Sequence, residues 1–157
     1  MCMMCSSTNH RVTLTAEDVS AFSGSQTVFQ GATDTVPGGT SSTFGISVGT
    51  PVFGVVNTSG DQDWYRITVV AGQSYTISLN GATVAGIGAI SDTYLRVYNA
   101  AGQLVAENDD AGGLYSGLTL TGLASGTYHM SAGAYQPHTG GYPLRAGAII
   151  VIAPHVV

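Results

Sequence analysis

The chain has 157 residues, room for one domain that buries about 70% of its unfolded surface without a disulfide framework. Charged residues make up 8% of it, against roughly 25% in an ordinary globular protein; lysine is absent, and the cations are Arg11, Arg66, Arg96 and Arg145. A net charge of −5 with so few cations cannot neutralise a row of phosphates, which excludes nucleic acid as a partner, and the polar uncharged surface fits an extracellular β-protein.

At the N-terminus, "MCMMC" places Cys2 and Cys5 in a C-x-x-C pair. Zinc would need two further ligands, and redox chemistry would need the pair to open a helix in a βαβ unit, so a terminal segment is the better reading. "SSTNHR" follows at once, so no secretory signal is visible. Residues 1–41 read as an extension and linker with one strand-like run, Arg11-Val12-Thr13-Leu14-Thr15, and residues 42–157 read as the folded domain.

Alternation with a period of two governs the sequence from residue 43 onward. Strands are expected at 42–48 and 51–57, with Gly49 turning between them. Two more fall at 63–70 and 73–80, separated by Ala71-Gly72 as a tight hairpin. Others fall at 93–99 and 103–108 around Ala100-Ala101-Gly102, at 117–123 and 126–135 around Ala124-Ser125, and at 142–152. Tyr75, Ile77 and Leu79 mark one inward face, Leu95 and Val97 another, and Trp64 is expected to anchor the core. No segment has ten residues of helical period. The apolar run at 146–153 is far below the ~20 residues of a membrane helix. Eight or nine short, regularly spaced strands predict an all-β antiparallel sandwich, jelly-roll-like, with no long helix.

Catalytic motifs fail on context. "GISVG" (45–49) matches G-x-S-x-G, but Thr50-Pro51 and another strand follow Ser47 where a helix is required. No H-E-x-x-H occurs. The expectation is a non-enzyme.

Five of the nine carboxylates gather at strand ends: Asp61 and Asp63, Asp92, and Asp109 with Asp110. Clustered carboxylates repel without a cation, and calcium takes six to eight oxygens from such loops. The competing reading is that Asp and Asn simply make turns; for Asn108-Asp109-Asp110 a turn that caps backbone N–H groups is preferred, with a metal role second. Tyr115 and the loop Tyr135-Gln136-Pro137-His138 offer aromatic and amide groups to a protein or polysaccharide ligand, against the alternative that the tyrosines pack half-buried.

"SGDQDWYRITVVAGQSYTISLNG" (59–81), "SDTYLRVYNAAGQLVAENDDAGG" (91–113) and "ASGTYHMSAGAYQPHTGGYPL" (124–144) together resemble, in this order, the bacterial pre-peptidase C-terminal domain, over about residues 40–146. The terminal C-x-x-C also resembles some secreted serralysin-like metalloproteases that carry this domain. The resemblance implies a jelly-roll sandwich, secretion and a non-catalytic role beside a protease. The related collagen-binding domains of bacterial collagenases bind calcium and the substrate polymer, which implies Asp34, Asp61 and Asp63 as the first calcium candidates. The reading is therefore a secreted, calcium-stabilised module that binds extracellular protein or matrix, its export route not visible in the sequence. The rival is a structural subunit forming homo-oligomers by strand addition through residues 11–15.

Overall fold

The computed structural model describes residues 36–149. Eight strands follow one another: β1 (Val52–Val56), β2 (Gln62–Val69), β3 (Ser74–Leu79), β4 (Thr93–Asn99), β5 (Leu104–Asn108), β6 (Ser116–Leu120), β7 (Gly126–Ala134) and β8 (Gly140–Ile149). They form two four-stranded sheets, ordered β1-β8-β3-β6 and β2-β7-β4-β5, with every named pair antiparallel. This is the jelly-roll order, and among the described residues there is no helix.

The period-two pattern is the cause. Val52, Tyr65, Ile67, Val69, Tyr75, Ile77, Leu79, Leu95, Val97, Met130, Tyr142 and Leu144 all point between the sheets and are buried. Burying these rows against each other is the dominant stabilisation, at about 25 cal/mol per Å2 of apolar surface. Val36 and Ser42, ahead of the first strand, are already buried.

Three expectations are corrected. Residues 42–48 form no strand of a hairpin with β1. They run beside β2, meeting it at the single parallel bridge Gly45–Arg66, where Arg66 N–H donates to Phe44 C=O and Ile46 N–H donates to Arg66 C=O. β1 pairs with β8 instead. Ala71-Gly72 does not close the expected hairpin either, since β2 and β3 belong to different sheets; the strands around Ala124-Ser125, β6 and β7, are likewise in different sheets. Those turns pass from one wall of the sandwich to the other. Only β4–β5 pairs through its short loop as expected.

Trp64 is the third correction, because it does not lie in the core. Tyr65, Ile67 and Val69 fix the odd positions of β2 inward, so Trp64 and Arg66 must point out.

Two buried polar clusters join the sheets. Tyr142 of β8 donates its hydroxyl proton to Asp63 Oδ2 on β2 and accepts one from Tyr65, Oη to Oη 2.8 Å. Near the β3–β4 crossover, Thr93 Oγ1 donates to Leu79 C=O (3.0 Å) while Ser116 Oγ donates to Thr93 C=O (2.8 Å). Both clusters satisfy polar groups that would otherwise be costly to bury.

Candidate binding face

The outer face of the β2-β7-β4-β5 sheet is built from the even-numbered residues of β2 and β4 and the odd-numbered residues of β7. Register sets three rows across it: Gln62–Gly133–Tyr94, Trp64–Ser131–Arg96–Glu107, and Arg66–His129–Tyr98. The middle strand presents small groups at Ser131 and Gly133, so long side chains from either side can lean across it.

Trp64 and Tyr98 do so. Their strands are two spacings apart, about 10 Å, yet the rings stack with centroids 4.2 Å apart and planes at 16°. Trp64 also lies over His129, centroids 6.1 Å apart. His129 is only 5% exposed, and its Nδ1 has no hydrogen-bond partner among the described residues, so the ring serves as packing beneath the stacked pair.

A second cluster adjoins the first. The Arg96 guanidinium lies 3.6 Å from the Tyr94 ring centroid, and its Nε is 3.6 Å from Glu107 Oε2. Tyr94 donates its hydroxyl proton to the same carboxylate oxygen at 2.6 Å. That hydrogen bond, then desolvation, raises the Tyr94 pKa, so the phenol stays neutral at physiological pH. Tyr135 tilts against Tyr94 with centroids 6.0 Å apart, and Ser131 Oγ donates to Gln62 Oε1 at 2.9 Å. The face thus carries aromatic planes, the Arg96 guanidinium and amide groups already held in place by each other, with Arg66 exposed at its β2 edge. Such a face can stack on and hydrogen-bond to a polymer laid across it.

The residues nominated from sequence lie where several loops meet at one end of the sandwich. Tyr135 belongs to the aromatic face. Its N–H donates to Asp92 C=O, and Gln136 turns the backbone with φ +62°. His138 Nδ1 approaches Ser91 Oγ at 3.3 Å on the surface, and Tyr115 is 42% exposed beside Gly81.

Among the carboxylates, Asp63 is fully buried and Asp61 Oδ2 accepts the Asn57 N–H at 3.4 Å. Asn108 Oδ1 accepts the Gly117 N–H at 2.9 Å, the backbone-capping role of a turn residue. Asp63 and Asn108 share one row, Asp63–Ala132–Leu95–Asn108, on opposite edges of the sheet. Three strand spacings, about 14 Å, separate them. One calcium with ligands at about 2.3–2.6 Å cannot bridge that gap, so the two candidate groups are separate. Among the described residues no three His, Cys, Asp or Glu side chains form a metal cluster. Asp34, the strand-addition segment Arg11 to Thr15, and Cys2 with Cys5 lie outside the described residues. Among the described residues no helix is long and apolar enough to cross a membrane.

Trp64, Tyr94, Arg96 and Tyr98 were not among the sequence candidates for binding. The signal was present, since Leu95 and Val97 inward on β4 force Tyr94, Arg96 and Tyr98 outward, as Ile67 and Val69 do for Trp64.

Residues 61–132 match the family model described as the bacterial pre-peptidase C-terminal domain. No curated protein sequence matches this one. Among solved structures, the protein is similar to the pre-peptidase C-terminal domain of a collagenase from Bacillus anthracis. The two are 20% identical with a TM-score of 0.51, over 66% of this protein and 92% of that domain. PliG, a periplasmic inhibitor of g-type lysozyme from Aeromonas hydrophila, is 16% identical with a TM-score of 0.49, over 68% of this protein and 95% of the inhibitor. The first of these shares the fold. Residues 61–132 thus match the bacterial pre-peptidase C-terminal domain in sequence, and the eight-stranded sandwich that contains them has the fold of the collagenase domain.

Proposed function

We propose that this domain is a non-catalytic module of a secreted protein, which holds an extended extracellular polypeptide against the outer face of the β2-β7-β4-β5 sheet. The Trp64–Tyr98 stack is the observation that carries this reading. A half-buried tryptophan on the outer face of a sheet, beside a tyrosine–arginine cluster, offers the aromatic and cationic groups that anchor protein ligands. The neighbour of like fold is a domain of a collagenase, which favours a protein polymer as the ligand and a peptidase as the companion domain. The non-catalytic part is supported by the two histidines among the described residues. His129 is packed under Trp64. His138 meets Ser91 at 3.3 Å on open surface, and among the described residues no carboxylate bonds its other ring nitrogen.

The test is co-sedimentation with fibrillar collagen and gelatin. Trp64→Ala and Tyr98→Ala should each weaken binding about tenfold or more, at unchanged far-UV circular dichroism. Equal binding by both variants and the parent would refute the assignment of this face.

Calcium belongs to the same proposal. Asp61, at the start of β2, with Asp34 and Asp63, would supply carboxylate oxygens to a calcium ion that bound there. Calcium would screen their mutual repulsion and tie the segment before β1 to the domain. At a hundredfold excess over its dissociation constant one site adds about 2.7 kcal/mol, a rise of roughly 5–10 °C in Tm for a domain of this size. Asp61→Asn should remove most of that rise, and equal Tm in calcium and in chelator would exclude the site.

A further inference from the structure

On the opposite side of the sandwich, the outer face of the β1-β8-β3-β6 sheet has a cleft of about 280 Å3. It is lined by Gly49 and Pro51 on one side, Thr76 and Ser78 on the other, with Arg145 and Gly147 between. Register explains the arrangement. Arg145 pairs directly with Ser78 and Gly147 with Thr76, so two hydroxyls and a guanidinium project from adjacent strands into one concavity. Gly147 keeps it open, since a Cβ there would come within 2.9 Å of Thr76 Oγ1.

Arg145 is the charged member of this cleft. Of the four arginines in the sequence, Arg96 is engaged by Glu107 and Tyr94. The Arg145 side chain, like that of Arg66, makes no ion pair or hydrogen bond with any described residue, in a protein where carboxylates outnumber cations nine to four. A guanidinium offers a planar fork of N–H donors that matches the two oxygens of a carboxylate, and the hydroxyls of Thr76 and Ser78 add donors to the same oxygens.

We propose that this cleft binds a single peptide carboxylate, from an acidic side group or the C-terminus of a peptide. One positive charge and a small volume match a monovalent planar anion. A divalent phosphate or sulfate would bring twice the charge into the field of a protein of net charge −5. The site lies on the sheet opposite the aromatic face and stands or falls independently of that reading.

The test is 1H–15N NMR titration of the full-length protein with acetate, then with a short neutral peptide carrying a free C-terminus, its amidated form, and the amidated form with one internal Glu. Acetate should shift the Arg145 side-chain Nε–H and the backbone amides of Thr76, Ser78 and Gly147. Arg145→Gln should weaken the response at least tenfold, Arg145→Lys should weaken it less, and Gly147→Ala should reduce it by narrowing the cleft. A response to the free-acid peptide but not its amide assigns the C-terminus as the source, and recovery by the Glu peptide assigns the acidic side group; either supports the proposal. No shifts at these residues, shifts unaltered in Arg145→Gln, or phosphate and sulfate binding as tightly as acetate would overturn it.

Discussion

Tyr142→Phe should lower the stability of the fold by about 3 kcal/mol, the scale of breaking a buried hydrogen bond to a charged group. Tyr142 is fully buried between the sheets; it donates its proton to Asp63 and accepts one from Tyr65. Phenylalanine fills the same space but removes the donor from a fully buried carboxyl group and the acceptor from a buried phenol. For a domain of this size the loss corresponds to roughly 6–12 °C in Tm. The same network predicts alkaline behaviour. Burial, then the neighbouring Tyr65 and Asp63, raise the Tyr142 pKa well above the ordinary 10.0. Above pH 10 the unfolded protein releases this proton while the folded protein keeps it. The contribution of Tyr142 is therefore fully present below pH 10 and is lost as pH rises above it. The alkaline limb of stability against pH should be shallower in Tyr142→Phe than in the parent. Thermal melts followed by near-UV circular dichroism from pH 7 to 11 measure both effects. A Tm within two degrees of the parent at pH 7 would mean that the network contributes little.

Gly141→Ala should destabilise to a similar degree, about 3 kcal/mol, by overpacking against backbone. Gly141 is a junction of three segments. Its N–H donates to Gly88 C=O, and its C=O accepts from both Ala82 and Ile90 N–H. A Cβ would overlap the Ala82 carbonyl oxygen and approach the Val84 Cβ at 2.9 Å. Backbone is less free to step aside than the end of a flexible residue, so the 82–90 loop must detach from β8. Gly147→Ala is the matched control, because its tight neighbour is the Thr76 hydroxyl. Urea titrations of both variants should separate them by at least 1 kcal/mol, with Gly141→Ala the less stable. Equal midpoints would show that the 82–90 loop moves freely.

The period-two alternation of residues 51 to 149 determined by itself that this is an all-β sandwich, where its eight strands run, and most of the residues that fill its interior. Tyr75, Ile77, Leu79, Leu95 and Val97 are buried as the alternation requires. This was legible because a strand's inward face depends only on its own parity, which is a local property. Partner choice is not local. Ala71-Gly72 reads equally well as a hairpin turn and as a crossing between sheets, and burying both flanking strands on opposite walls of one core decided for the crossing. The binding face was partly legible, since the parity that buries Ile67 exposes Trp64, but a large aromatic ring taken alone suggests the core. Its construction was not legible. Trp64 and Tyr98 are 34 positions apart and meet because β7, from a third part of the sequence, lies between their strands with small residues on its outer face. The Arg145 cleft likewise exists only because β8 docks between β1 and β3, placing Gly49 and Ser78 on either side of one arginine. Sequence periodicity specifies faces; the pairing of strands distant in sequence, set by the shared core, specifies which residues meet on them.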